Sequence, residues 1–194
     1  MRCEENGNEE AADILQTFSE LFREAIRGEP VCSIKEELDT VKIYTDVLDM
    51  CYNDILKIKY EIEPEILEYG ILKKIIQPIV ENYFVHGFDK TRSDNEITIQ
   101  GFFEEKYIIF RVIDNGKGMD KEREKLINRN LQNHGIDAKS YIGLNNANNR
   151  IRLLFGPDCG LKIESEEGKK TVVTVKIGAC SMKEVEDRYQ YSRS

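Results

Sequence analysis

Residues Tyr107–Ile113 are apolar on both faces except at Arg111, and they deliver the chain directly to Asp114, Asn115, Gly116, Lys117 and Gly118. A strand without a polar face cannot lie at a solvated edge, so it predicts the interior of a sheet with a further layer packed against it. Ile97, Ile99, Gly101 and Phe103 alternate just upstream across Glu104 and Glu105, which makes a hairpin arm of the first partner. A second hairpin is predicted from Leu161, Ile163 and Ser165 to Val172–Ile177 about Glu167 and Gly168, and a further strand from Ile58, Tyr60 and Ile62 up to Pro64.

Helical spacing fills the rest. Apolar residues from Ala11 to Ile26 recur at steps of three and four, and Gly28 and Pro30 stop the run. A second helix starts after Ser33, where Glu36 completes the Ser-x-x-Glu capping pattern, and its stripe of Ile34, Leu38, Val41, Leu48, Tyr52 and Ile55 is broken at Thr45. That spacing is close to a heptad, but three heptads with a polar break fit an ordinary core-facing helix better than a coiled-coil seam. Ile71–Phe84 reads as a buried helix that Pro78 must either open or bend. A charged helix over about 120–131 and another over Leu144–Phe155 follow, and the tail from Ser181 is expected to fray. Strands in hairpins and helices in blocks predict an α+β fold, a two-layer sandwich with a mixed sheet of about five strands and helices on one face.

Composition narrows the function classes. The 194 residues carry 28 Lys+Arg against 36 Asp+Glu, a net charge of −8, which excludes a basic nucleic-acid footprint. Hydrophobic residues at 40% suffice for a core, and no apolar run reaches the length of a membrane span. Five widely spaced cysteines with no Cys-x-x-Cys, and only two histidines, point to reduced thiols in a cytoplasmic chain and not to a zinc site.

Three constellations carry chemistry. Asp114 to Gly118 is good turn chemistry, and a plain turn is one reading. The other is that a buried strand delivers an acceptor-only carboxylate to the core's edge, suited to the exocyclic amino group of adenine, while Gly116 and Gly118 let backbone pass close to a flat ligand. Within Glu81–Gly87, Asn82 and His86 fall one helical turn apart on the same face of an otherwise apolar helix. They either fill structural hydrogen bonds, or the Asn82 amide oxygen takes one site of a Mg²⁺ ion that otherwise leans on phosphates. Gly143, Leu144, Asn145 and Asn146 open the last long helix, where free N–H groups favour an anion.

In this order (EN-x3-HG, D-x-G-x-G, then GL-x-N-x3-R at Gly143, Leu144, Asn146 and Arg150) the three blocks resemble the ATP-binding domain of sensor histidine kinases of the GHKL superfamily. The run Gln77–Asn82 is similar to a segment of its LytS-like and YesM-like branch, and the region Glu36 to Tyr44 is similar to that branch's connector. The resemblance covers about residues 30–180 and implies three parts. Residues 1–56 would be N-terminal helices leading to a dimerisation and phosphoacceptor region, 57–180 the catalytic domain, and 181–194 a charged tail.

It also implies ATP and Mg²⁺ as ligands. Asn82 would hold the metal and Asp114 the adenine. His86, Gly116, Gly118 and Met119 would shape the nucleotide pocket, and Gly143, Leu144 and Asn146 would meet the phosphates. Glu81 would help activate the attacking group, and a mobile lid would span about Met119 to Ile142. The implied reaction is transfer of the γ-phosphoryl group to a histidine of an upstream helix in the same, dimeric kinase, with a cognate response regulator downstream. That acceptor helix and a membrane sensor region are expected outside this fragment, in a full-length protein anchored in the cell membrane. Departures from the branch keep two alternatives open. Val85 stands where Lys is common, Tyr83 and Phe84 where smaller side chains are common, and Ser140–Gly143 is poor in glycine, which would suit a nucleotide-gated binding module with degraded catalysis. A serine kinase of the anti-sigma-factor kind is the other.

Overall fold

A computed structural model describes residues 30–52, 55–133 and 142–192. Strand β1 (Val31–Ser33) leads into helix α1 (Ile34–Tyr52), then β2 (Leu56–Ile62), a single 3₁₀ turn (Pro64–Ile66) and β3 (Gly70–Leu72). Helix α2 (Gln77–His86) follows, then β4 (Asn95–Glu104), β5 (Tyr107–Asp114), α3 (Lys121–Asn133) and α4 (Ile142–Phe155). The hairpin β6 (Gly160–Glu166) and β7 (Lys170–Gly178) and helix α5 (Met182–Tyr191) close the described chain.

Five strands form one mixed sheet in the order β2-β4-β5-β7-β6, parallel only between β2 and β4. The all-apolar strand β5 is central, as its composition requires. Ile108, Phe110 and Val112 face the helices and meet Ile97 and Ile99 of β4 and Val173, Val175 and Ile177 of β7 in one core. The opposite face is mixed, with Ile109 buried on it. Arg111 stacks on the Phe102 ring there, 5.2 Å from its centroid. The architecture is the α+β sandwich expected, with a small antiparallel ladder of β1 and β3 in addition.

Helix α1 begins with the reciprocal cap: the Glu36 amide donates to Ser33 Oγ (3.2 Å), and the Ser33 amide donates to Glu36 Oε2 (2.8 Å). Thr45, the polar break in its stripe, is buried, and its hydroxyl pairs with the Tyr60 hydroxyl of β2 at 2.7 Å. The break therefore satisfies a phenol instead of interrupting the core.

Three expectations change. Residues 71–76 are not helical. β3 takes the first of them, and Pro78 opens α2, where its missing N–H costs no helical bond. The tail from Ser181 does not fray at once: Ser181 and Glu184 form a second capping box, and α5 buries Val185 in the core. The lid also divides. α3 is fastened to β6 by Asn128, which donates to the Ile163 carbonyl and accepts its N–H, and by Glu124, which accepts the Ser165 N–H. Ile127 and Leu131 are core residues, so this half is fixed scaffold. The predicted helix over 11–26 and the lid residues 134–141 lie outside the described residues, as does His134.

Candidate functional site

Helix α2, the end of β5 and the start of α3 enclose a cleft of about 460 Å³, counting its open mouth. Asn82, Tyr83, His86 and Gly87 line it from α2 and its C-terminus, Asp114 and Thr171 from paired positions of β5 and β7, and Gly118, Met119 and Arg123 from the following loop and α3.

The position of Asp114 follows from β5. Its alternation points residues 108, 110, 112 and 114 to the helical layer, so the last of them carries a carboxylate to the edge of the core, where it is only 7% exposed. Burial pushes its carboxyl up from 3.8 to about 6, and the backbone N–H groups of Gly116 and Thr171 partly oppose that shift. The Gly116 amide donates to Oδ1 at 2.9 Å. Gly116 itself lies under the cleft rather than in its wall, since a Cβ there would come within 2.6 Å of the Gly87 carbonyl oxygen. Gly118 has φ +61°, and a Cβ would fall 2.1 Å from the Glu166 carbonyl oxygen. The two glycines are thus required by the backbone that forms the floor. Asn115 ties this turn to the start of β4, accepting the Glu96 N–H (2.8 Å) and donating to the Asp94 carbonyl (2.6 Å).

On α2 the spacing argument holds, since Asn82 and His86 share the wall. Their helix is set from below by Glu37 of α1. This carboxylate, 3% exposed, accepts the N–H groups of Lys74 (2.8 Å), Ile75 (2.8 Å) and Ile76 (2.9 Å) and so fixes the turn from which α2 starts. Glu81 is half-buried and accepts from Gln77 Nε2 at 2.8 Å, and it is not part of the cleft lining.

The third block is adjacent rather than inside. Gly143 lies in the first turn of α4, where a Cβ would sit 3.5 Å from Cβ of Pro78, one turn before Asn82. The amino-terminal ends of α2 and α4 therefore meet beside the cleft. Leu144 is a core residue, and Asn146 is exposed. Neither lines the cleft.

Tyr83, Gly87, Arg123 and Thr171 line the cleft without having been expected to. Thr171 is the ladder partner of Asp114, a relation that needs the β5–β7 register. Arg123 follows from the cap at Asp120, whose Oδ1 accepts the Arg123 N–H at 2.8 Å and starts α3 there. The charged run around Arg123 offers no local pattern that singles it out.

The described residues hold no cluster of three or more His, Cys, Asp or Glu that could bind a metal by itself. The donor set fits Mg²⁺ only in company with a phosphate chain, Asn82 supplying one hard oxygen.

A mixed sheet backed by helices, with a cleft between helix and strand end, is the fold of histidine kinase catalytic domains. The catalytic domain of histidine kinase ThkA matches 78% of this chain and 97% of its own, with a TM-score of 0.55 at 16% identity. The histidine kinase domain of a blue-light activated kinase from Erythrobacter litoralis matches 92% of this chain and 77% of its own, with a TM-score of 0.56 at 8% identity. Residues 69–179 match the histidine kinase-, DNA gyrase B-, and HSP90-like ATPase family, and the chain belongs to it. The sensor protein kinase HptS of Staphylococcus aureus is 29% identical over 168 residues, 86% of this chain. The chain spans about a third (32%) of the length of that relative. Among the described residues no helix is long and apolar enough to cross a membrane.

Proposed function

We propose that this chain is the catalytic part of a two-component sensor histidine kinase, which moves the γ-phosphoryl group of ATP to a histidine on a dimerising helix of the same kinase. The observation that carries the reading is the meeting of Asn82 and Asp114, 32 positions apart in sequence, across one cleft floored by Gly118. Family membership supports the nucleotide, and likeness to HptS supports the sensor-kinase setting.

In this reading the Asp114 carboxylate accepts from the adenine amino group, and the Gly116–Gly118 turn lies along the base. Asn82 would hold Mg²⁺, which supplies charge neutralisation on the phosphates. Arg123 and the amino-terminal turn of α4 at Gly143 attract the anionic chain. The bond from the γ-phosphorus to the bridging oxygen breaks, ADP leaves with that electron pair, and a bond forms to an imidazole nitrogen. Glu81, steered by Gln77, takes the proton that the imidazole releases. Water is kept from the base by Tyr83 and Met119. The phosphohistidine then serves a cognate response regulator, and the whole kinase is anchored in the cell membrane. The division at residues 56 and 180 belongs to the same proposal.

The test uses the chain with Mg·ATP and a separate acceptor-helix fragment. Acid-labile phosphohistidine on the fragment, lost in Asn82→Ala, is expected. Demonstrated ATP binding with no phosphohistidine would favour a nucleotide-gated binding module, and phosphoserine on a partner would assign a serine kinase.

A further inference from the structure

Strand β2 ends the sheet. It pairs with β4 alone, and among the described residues no strand lies along its second edge. The parallel register fixes which main-chain groups reach that edge. The Ile55 carbonyl accepts the Asn95 N–H, and the Glu63 N–H donates to the Gly101 carbonyl, so the odd-numbered residues bond to β4. Ile58, Tyr60 and Ile62 therefore turn their N–H and C=O groups outward. Such an edge is commonly guarded by charges that repel a second strand. Here the charges are arranged to match one. From Lys57 to Glu63 the chain reads Lys-Ile-Lys-Tyr-Glu-Ile-Glu, so that each residue's counterpart across Tyr60 is either the opposite charge or the same apolar side chain. Glu63 keeps extended backbone (φ −66°, ψ 126°), and Pro64, with no N–H to give, ends the run.

We propose that this edge is an interface for a second copy of the chain, the two β2 strands pairing antiparallel about a two-fold axis at Tyr60. In that register Ile58 lies opposite Ile62 of the second copy and Tyr60 opposite its own equivalent. These are the residues whose main-chain groups face outward, so they form the hydrogen-bonded pairs. Lys59 then falls opposite Glu61 of the second copy and Lys57 opposite Glu63, in the non-hydrogen-bonded pairs where side chains approach most closely. Moving the axis by one residue sets Lys59 against Lys59 or Glu61 against Glu61, and moving it by two sets Lys57 against Lys59 or Glu61 against Glu63. Only the register about Tyr60 opposes no like charges. The central pair is available within each copy. Lys59 spends one ammonium hydrogen on Glu96 Oε1 (2.6 Å), and Gln100 takes only Oε2 of the exposed Glu61 (2.7 Å). A row of Glu96, Lys59 and the second copy's Glu61 would then run across the joint on the open face of the sheet.

The cleft takes no residue from β2, so the inference stands or falls apart from the ATP reading. Its test is sedimentation velocity on the chain from about 10 µM to about 1 mM, the upper end matching the effective concentration of two tethered domains. Two variants are compared with it: Glu61→Lys, and Lys59→Glu combined with Glu96→Lys, which keeps an ion pair between β2 and β4. Cooperative urea unfolding of each establishes that it folds. The unmodified chain is expected to dimerise, and in either variant the dissociation constant should rise roughly 10-fold or more, because two symmetry-related pairs change from opposite to like charge. An equimolar mixture of the two variants opposes only unlike charges at these positions and should recover the affinity of the unmodified chain as a heterodimer. No self-association at the highest concentration, association indifferent to both variants, or a mixture that binds no more tightly than either variant alone would each overturn the inference.

Discussion

Asp114 offers a direct test of how much stability this site costs the fold. Its carboxyl ordinarily titrates at 3.8 and is held at about 6 in the folded chain by desolvation. A folded-state value above the unfolded one means that the folded protein binds the proton more tightly. The stability associated with it is therefore complete below pH 3.8 and is lost as the pH climbs through 6. The full loss is about 2 pH units at 1.36 kcal/mol each, or about 3 kcal/mol. Between pH 5 and pH 8 the loss is RT ln 10, about 1.4 kcal/mol, because at pH 5 the folded carboxyl is still protonated about ten to one while the unfolded one is already ionised. Asp114→Asn has no such titration. With unfolding followed in urea at both pH values without nucleotide, the difference between the two proteins should move by about 1.4 kcal/mol in favour of the variant from pH 5 to pH 8. For a domain of this size that is a relative shift of about 3–5 °C in Tm. Subtraction removes the other carboxylates, which both proteins share. With ATP at a hundred times its dissociation constant the unmodified chain should gain about 2.7 kcal/mol, and Asp114→Asn nearly none. Parallel pH profiles, or a variant that loses ground at pH 8, would refute the claim that a desolvated carboxylate is stored at the end of β5.

Two further substitutions probe the scaffold. Glu37→Ala leaves the buried N–H groups of Ile75 and Ile76 and the part-buried one of Lys74 without their acceptor, and a loss of about 2 kcal/mol or more in urea unfolding is expected; a loss under about 1 kcal/mol would show that water replaces the clamp. Ser181→Ala removes the capping box of α5 and should cost about 1 kcal/mol, read as a fall in Tm together with faster amide exchange in residues 182–191.

What could be read before folding was whatever depends on residues near in sequence. Central strand β5, the two hairpins and the cap of α1 were all legible because alternation and capping are local. Asn82 and His86 were legible as a pair because four residues make one turn. Thr171 was not, since it enters the cleft only through its ladder pairing with Asp114. Ile71–Ile76 read as helix because an apolar run carries no period of its own. Glu37, 37 positions upstream of Lys74, imposes the irregular turn that Lys74 enters at φ +61°. Val185 was one apolar residue in a charged tail, and only the surface presented by β1 and β3 gives its helix a reason to dock.

The aromatic departures in α2 acquire a meaning from the same long-range packing. A small side chain at position 84 would leave Tyr44 of α1 without the edge-on partner it has in Phe84, 6.3 Å between centroids. Phe84 in turn packs on Phe88, and Phe88 on Tyr52 at 4.8 Å, near the far end of α1. Helix α1 thus holds α2 at its start through Glu37 and at its finish through a ring cluster, and the residues between those grips include Asn82 and His86. Rigid elements fastened at two points cannot shift independently, because neither a buried carboxylate clamp nor packed rings deform continuously. Displacement of α1 along its axis must break one grip or carry the cleft wall with it. Tyr83 and Phe84 therefore read as mechanical linkage between the first described helix and the candidate cleft.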